Sequence, residues 1–388
     1  MPEDPVRSER SREEPAAPPE RSREEPAAPS ERLREEPGSS SAGGAAQSLR
    51  SVEESADFQA NIVGDEGREG ERLHAGPVLK LLVDAARSVA LRHSGKRPVL
   101  LSLDRIDLTG RIRHMDLVRV EGRLIEVGHS SMVIELRCSV RSPGEREFRP
   151  SHVGFVTMVA LDEAGQVSRD IPRLSYDSPA GTEARAMAGH RREELAERRQ
   201  ALEWVQQSEV LRADDVIEPD PVSRYEWLHP EETLVRLKGQ LFTMDGPADG
   251  RVKGGDLLAM LDRLATYTAR QFTRNRHLVT ICVNDVLLKR PLLNADRVEL
   301  QARVVYVRTH TLEVGIDITV HTLAGERYGL DSMDFQIFNF DASGEKKPIT
   351  TGLKIEDGDQ DGLRRYLRAR TRYAYWKSHP ESHLIQSP

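Results

Sequence analysis

The chain has 388 residues, a formal net charge of −7 and 31% charged residues, which is room for two ordinary domains with tails. Residues 1–55 hold 13 acidic and 8 basic side chains, so the remainder is near neutral at −2 and argues against a general nucleic-acid binder. No run of ~18 apolar residues exists, which excludes a membrane-spanning helix, and Met1-Pro2-Glu3-Asp4-Pro5 lacks the apolar core of a secretory signal. A soluble, intracellular protein of the cytoplasm is expected.

The tail comes first. Arg10-Ser11-Arg12-Glu13-Glu14-Pro15, Arg21-Ser22-Arg23-Glu24-Glu25-Pro26 and Arg32-Leu33-Arg34-Glu35-Glu36-Pro37 repeat with an 11-residue period. Pro and charge fill these positions, so the segment buries too little surface to offset its ordering entropy. Residues 1–55 are therefore expected to be a disordered low-complexity tail.

From there the chain reads as two copies of one unit, offset by about 180 positions, and a repeat this long is a duplicated domain. The first copy, 56–165, runs strand (Phe58 to Val63), Gly-containing loop, long helix from Gly76, then strands near Val99–Ile106, Leu117–Val127, Met132–Arg141 and His152–Leu161. A linker, 166–215, carries a charged helix over Gly181–Gln207. The second copy, 216–345, repeats the order: strand Val235 to Phe242, helix Leu257 to Arg270, and strands near Val279–Leu287, Arg297–Arg308, Leu312–Thr322 and Gly329–Phe340. Both helices are apolar on most faces, as suits a helix wrapped by its own sheet. Cys138 and Cys282 fall inside strand-like runs and read as buried small hydrophobes. The end, 346–388, holds a helix from Asp361 to about Lys377 with five arginines among Tyr366, Tyr373, Tyr375 and Trp376. Phosphate or nucleic-acid binding competes there with a docked helix whose basic face is solvated, and docking is the preferred reading.

These residues resemble the hotdog fold, and specifically the acyl-CoA thioesterases that carry two hotdog domains in one chain. The resemblance covers roughly residues 58–378. It rests most on Asp249-Gly250-Arg251-Val252-Lys253-Gly254-Gly255, on the following helix, on His277-Leu278-Val279-Thr280-Ile281-Cys282-Val283, and on His74-Ala75-Gly76 in the first copy. It implies an α+β fold of tandem hotdog domains, each a long central helix wrapped by an antiparallel sheet of about five strands. It also implies hydrolysis of acyl-CoA thioesters to free fatty acid and coenzyme A, and a homo-oligomer of double-hotdog units. No cofactor is called for, since coenzyme A belongs to the substrate, and the histidines show no metal-ligand spacing.

Asp262 falls on the acidic residue that the family uses on its second central helix, where the first copy has Val83. It sits on or beside an apolar helix stripe, so burial would favour its protonated form and oblige it to find a partner. Thioester hydrolysis needs a base or nucleophile and donors for an oxyanion, and a helix start supplies unpaired N–H groups. Asp262 lies seven residues beyond Gly255, about 10 Å along the same helix at ~1.5 Å per residue, too far for both to act on one carbonyl. Asp262 is therefore expected to work with the Ala75 and Gly76 amides of the other copy, leaving Gly254 and Gly255 opposite Val83 in a silent site. Asp84 is placed on the solvent edge. The family's loop Asn has no match near Gly67; Glu69 and His74 are candidates to assist. Ser130, Ser131, His310 and Thr311, at turns into central strands, and the basic Arg251 and Lys253 are candidates for the coenzyme. A dehydratase would want His on the helix, and none of residues Leu257 to Thr273 is His. The open alternative is a catalytically degenerate acyl-CoA binder or scaffold of the same fold.

Overall fold

The structure, a computed structural model, describes residues 48–379 apart from 64–67, 70, 71, 74, 109, 111 and 244–249, and gives the backbone alone for 68–69 and 72–73. The first half is built of β1 (Asp57–Ile62), α1 (Ala75–Ser94), β2 (Arg97–Leu103), β3 (Ile106–Asp107), β4 (Leu117–Val127), β5 (Ser131–Arg141) and β6 (Arg149–Leu161). The linker helix α2 spans Pro179–Gln207. The second half repeats the order with β7 (Val235–Gly239), α3 (Gly254–Thr273), β8 (Leu278–Val283), β9 (Val286–Leu287), β10 (Arg297–Val307), β11 (Thr311–His321) and β12 (Arg327–Asn339). Helix α4, Gln360–Ser378, follows.

Two six-stranded sheets result, in the orders β9-β2-β6-β5-β4-β1 and β3-β8-β12-β11-β10-β7. The long strands alternate in burial because one face lies on a helix and the other does not. Each sheet bends around its own helix, helped by matching register shifts at Leu124/Glu126 and Val304/Tyr306. One apolar core runs through both halves, with Leu79, Leu82, Leu258, Leu261 and Phe335 shut off from solvent. Each half is thus a hotdog domain.

The run Val99–Ile106, expected as one strand, is two. It breaks at Asp104-Arg105, after which β3 leaves its own sheet and pairs with β8 of the other half; β9 pairs reciprocally with β2. The break is held from outside by α2, where Arg191 binds Asp104 at 2.7 and 2.9 Å and Arg198 reaches Asp285. Those two arginines lie two helical turns apart, so one face of the linker clamps both crossovers.

Residues 49–55 of the expected tail carry structure. Residues 1–47 lie outside the described residues, but Leu49–Arg50 pairs with Arg173–Leu174 and Ser51 caps the short helix Val52–Ser55 through a capping box with Glu54. Helix α4 docks its aromatics as expected, with Tyr366 and Trp376 buried. Its arginines, however, are not a solvated face. Arg372 is buried against Glu313 and Asp334, and Arg365 binds Asp317 at 3.0 Å, because acids on the outer face of the second sheet require internal cations. Both cysteines are buried and free.

Candidate active site

The two central helices pack together, and small residues set how closely. A Cβ on Gly76 would stand 3.2 Å from the Ala259 backbone, and one on Gly255 would stand 3.0 Å from that of Lys80. The helices therefore run antiparallel, each start lying against the second turn of its partner. The pair is pinned by Lys80 and Asp256 at 2.8 Å.

This arrangement delivers Asp262 to the start of α1. Its carboxylate is fully buried. Oδ2 accepts the Gly76 N–H at 2.9 Å and Oδ1 accepts the Thr280 hydroxyl at 2.5 Å. The amide belongs to the first half, the carboxylate and hydroxyl to the second. A carboxylate at a helix start is favoured by the unpaired amides and the helix dipole. Ala75, the other expected donor, is buried beside Gly76.

Thr280 was not singled out from the sequence as a site residue. Its only signal is a hydroxyl at a buried position of β8, and its partner lies on another element. Thr266 is a second omission. One turn beyond Asp262 on α3, it is 1% exposed, and its Oγ1 has no hydrogen-bond partner among the described residues. Thr268 and Thr273 on the same helix bond back to the carbonyls of Leu264 and Ala269. An unsatisfied buried hydroxyl costs about 1–3 kcal/mol, so Thr266 is a ready partner for a bound polar group.

At the other helix start the positions matching Asp262 and Thr280 are apolar. Val83 and Leu100 face Gly254, whose added Cβ would meet the Leu100 side chain. No side chain caps the N-terminus of α3. Asp84 is not on the solvent edge: it is half-buried and lines the same recess as Val83. Burial pushes its carboxyl pKa up, against the pull of Lys253, Lys80 and Arg87.

The remaining sequence candidates divide between the two junctions. His310 and Thr311 attach to the end of β12, where the His310 carbonyl accepts the Asn339 N–H at 2.8 Å and Thr311 pairs with Phe338. That end is tied to the start of β8 through Asn275, which bonds Asn339 and the His277 carbonyl. They therefore stand on the Asp262 side. Ser130 and Ser131 stand on the Val83 side, since the Ser130 carbonyl accepts the Ala160 N–H and Ser131 pairs with Val159. Arg251 and Lys253 also border the Val83 recess rather than Asp262. They precede α3, whose start crosses α1 at Lys80, one helical turn beyond Gly76. The backbone at Glu69 pairs with Arg72 in a short hairpin, and its side chain lies outside the described residues, as does His74.

Two segments, residues 73–145 and 249–322, match the family model described as the Thioesterase superfamily. An uncharacterized acyl-CoA thioester hydrolase of Zymomonas mobilis subsp. mobilis is 34% identical over 92 residues, or 24% of this chain and 62% of that protein. The uncharacterized acyl-CoA thioester hydrolase YkhA of Bacillus subtilis is 27% identical over 31% of this chain and 69% of its own. The chain thus spans about two thirds of these relatives. Among solved structures, an acyl-CoA hydrolase from Bacillus cereus superposes with a TM-score of 0.37 at 26% identity, covering 42% of this chain and 98% of its own.

Proposed function

We propose that this chain, whose two halves carry thioesterase-superfamily domains, hydrolyses acyl-CoA thioesters to a free acid and coenzyme A at one composite site. The observation that carries the proposal is the Gly76 N–H bound to Asp262 Oδ2 at 2.9 Å across the two halves. An oxyanion donor and a carboxylate base meet there in a site closed to bulk water, where both act most strongly.

A thioester carbonyl oxygen placed at the start of α1 takes the Gly76 N–H, with Ala75 beside it. Asp262 gives up that bond, keeps Thr280 on its other oxygen and draws a proton from a water molecule. The free Thr266 hydroxyl holds that water one helical turn away. The water oxygen adds to the carbonyl carbon, the C–S bond breaks, and the coenzyme A sulfur leaves with the proton. His310 and Thr311 are positioned to contact the coenzyme, and Glu69 and His74 to assist at the helix start. Assembly into a homo-oligomer of double-hotdog units belongs to the same proposal, on the resemblance stated for the sequence. Among the described residues, no helix is long and apolar enough to cross a membrane.

The test is release of coenzyme A from short, medium and long acyl-CoAs, followed with a thiol reagent. Turnover of at least one length supports the reading. No turnover of any length overturns it in favour of a degenerate binder.

A further inference from the structure

The junction that lacks the carboxylate remains open. Two adjoining clefts meet at the turn into α3 and share Val99, Leu100, Arg251, Val252 and Gly254. The inner one, over Val83, holds about 60 Å³ and the outer one about 210 Å³. Aliphatic side chains dominate the outer wall, among them Leu101, Leu161, Leu257 and Leu292.

The rim has a different character. Arg87, Arg97 and Lys253 border the inner cleft, Lys289 and Arg290 the outer, and Arg251 both. Among the described residues, Asp84 is the one acid that lines either cleft. Arg251 donates to the Gly165 carbonyl at 2.9 Å, while Lys289 and Arg290 hold Asp331 at 3.1 Å and Glu326 at 2.6 Å. The two ion pairs are exposed, worth little and readily exchanged for another anion. Lys253, the residue before α3, makes no side-chain cap, so the first backbone amides of the helix lie at the same place.

An aliphatic chamber behind six cations fits a ligand with an acyl chain and a head carrying several negative charges. A simple fatty acid would bring a single negative charge to that rim. The clefts are also the two-fold image of the Asp262 junction, framed by the equivalent strand and helix start. Val83 and Leu100 remove the base and its supporting hydroxyl, yet they add apolar wall. We propose that this second junction binds an acyl-CoA without hydrolysing it, so that each chain holds two acyl thioesters and turns over one. The inference rests on the thioesterase reading.

The experiment is calorimetric titration with S-octyl-CoA, whose thioether cannot be hydrolysed, beside octanoyl-CoA hydrolysis by the same preparations. Val167, 57% exposed, stands at the mouth of the outer cleft, so Val167→Trp plugs it without disturbing the core. Two molecules per chain are expected in the wild type and one in Val167→Trp, with hydrolysis rates within about twofold of each other. Paired Arg87→Glu and Arg290→Glu substitutions should weaken the second site at least about tenfold, with hydrolysis likewise retained. A stoichiometry of one in the wild type overturns the inference. So does a second site that neither the plug nor the reversed rim affects, or one that octanoate alone fills as tightly. Absence of hydrolysis would overturn the thioesterase reading, which the rate measurement reports separately from the count of sites.

Discussion

At the start of α1, the Gly76 amide meets Asp262, and Thr280 holds the carboxylate's second oxygen. At the start of α3, Gly254 meets Val83 and Leu100. Both places are the start of a 20-residue helix, because duplication of a helix and its sheet reproduces the helix starts. Oxyanion donors are backbone groups, so the fold presents them twice. A base and the hydroxyl that aims it are side chains, and they occur once. On the proposed reading, two residues rather than the architecture separate an acyl-transfer site from an apolar recess.

The comparison can be broken most sharply at the carboxylate. Asp262→Ala should lower kcat by about 10³-fold or more, the scale of losing a positioned base, whereas Val83→Ala should stay within about twofold; steady-state acyl-CoA hydrolysis reads both. Next comes the supporting hydroxyl. A hydrogen bond to a charged group is worth about 1.5–3 kcal/mol, so Thr280→Val should cost roughly ten- to a hundredfold in kcat. Leu100→Val, at the matching place, should leave kcat unchanged.

A smaller difference between the halves concerns stability. His152, on β6 of the first half, is buried, its Nε2 has no partner among the described residues, and desolvation holds its pKa down at about 4. An unfolded imidazole protonates near its ordinary 6.5, so the unfolded state binds the extra proton first as the pH falls. The stability that His152 contributes as a neutral group is therefore complete above pH 6.5 and lost progressively towards pH 4. Between pH 7 and 5.5 the wild type should lose about 1 kcal/mol more than His152→Leu. Denaturant melts at the two pH values test this, and equal losses would show that the imidazole finds a partner.

Much of this was legible in the sequence, for identifiable reasons. Strands such as Leu117–Val127 and Arg297–Val307 alternate, so their limits emerge from period two. The pairing of Asp262 with the first half follows from distance along one helix, and the 2.9 Å contact with Gly76 agrees with it. What stayed hidden depends on neighbours distant in sequence. The β3 and β9 exchange was invisible because the apolar runs continue across Asp104-Arg105 and Asn284-Asp285, and pattern does not report which sheet receives a strand. Thr280 looked like any strand threonine until the helix beneath it was placed. Arg251 and Lys253 adjoin the right kind of helix start, but at the other junction. The basic face of α4 looked solvated because its buried partners, Glu313 and Asp334, come from two other strands.

The claim that two side chains decide between the junctions is tested most directly by moving them. Val83→Asp with Leu100→Thr, built on the Asp262→Ala chain, should place a supported carboxylate at the start of α3. Hydrolysis of octanoyl-CoA should then recover by about a hundredfold over Asp262→Ala alone, the low end of what a positioned base supplies. A chain that melts as cooperatively as the wild type, yet recovers nothing, would contradict the account.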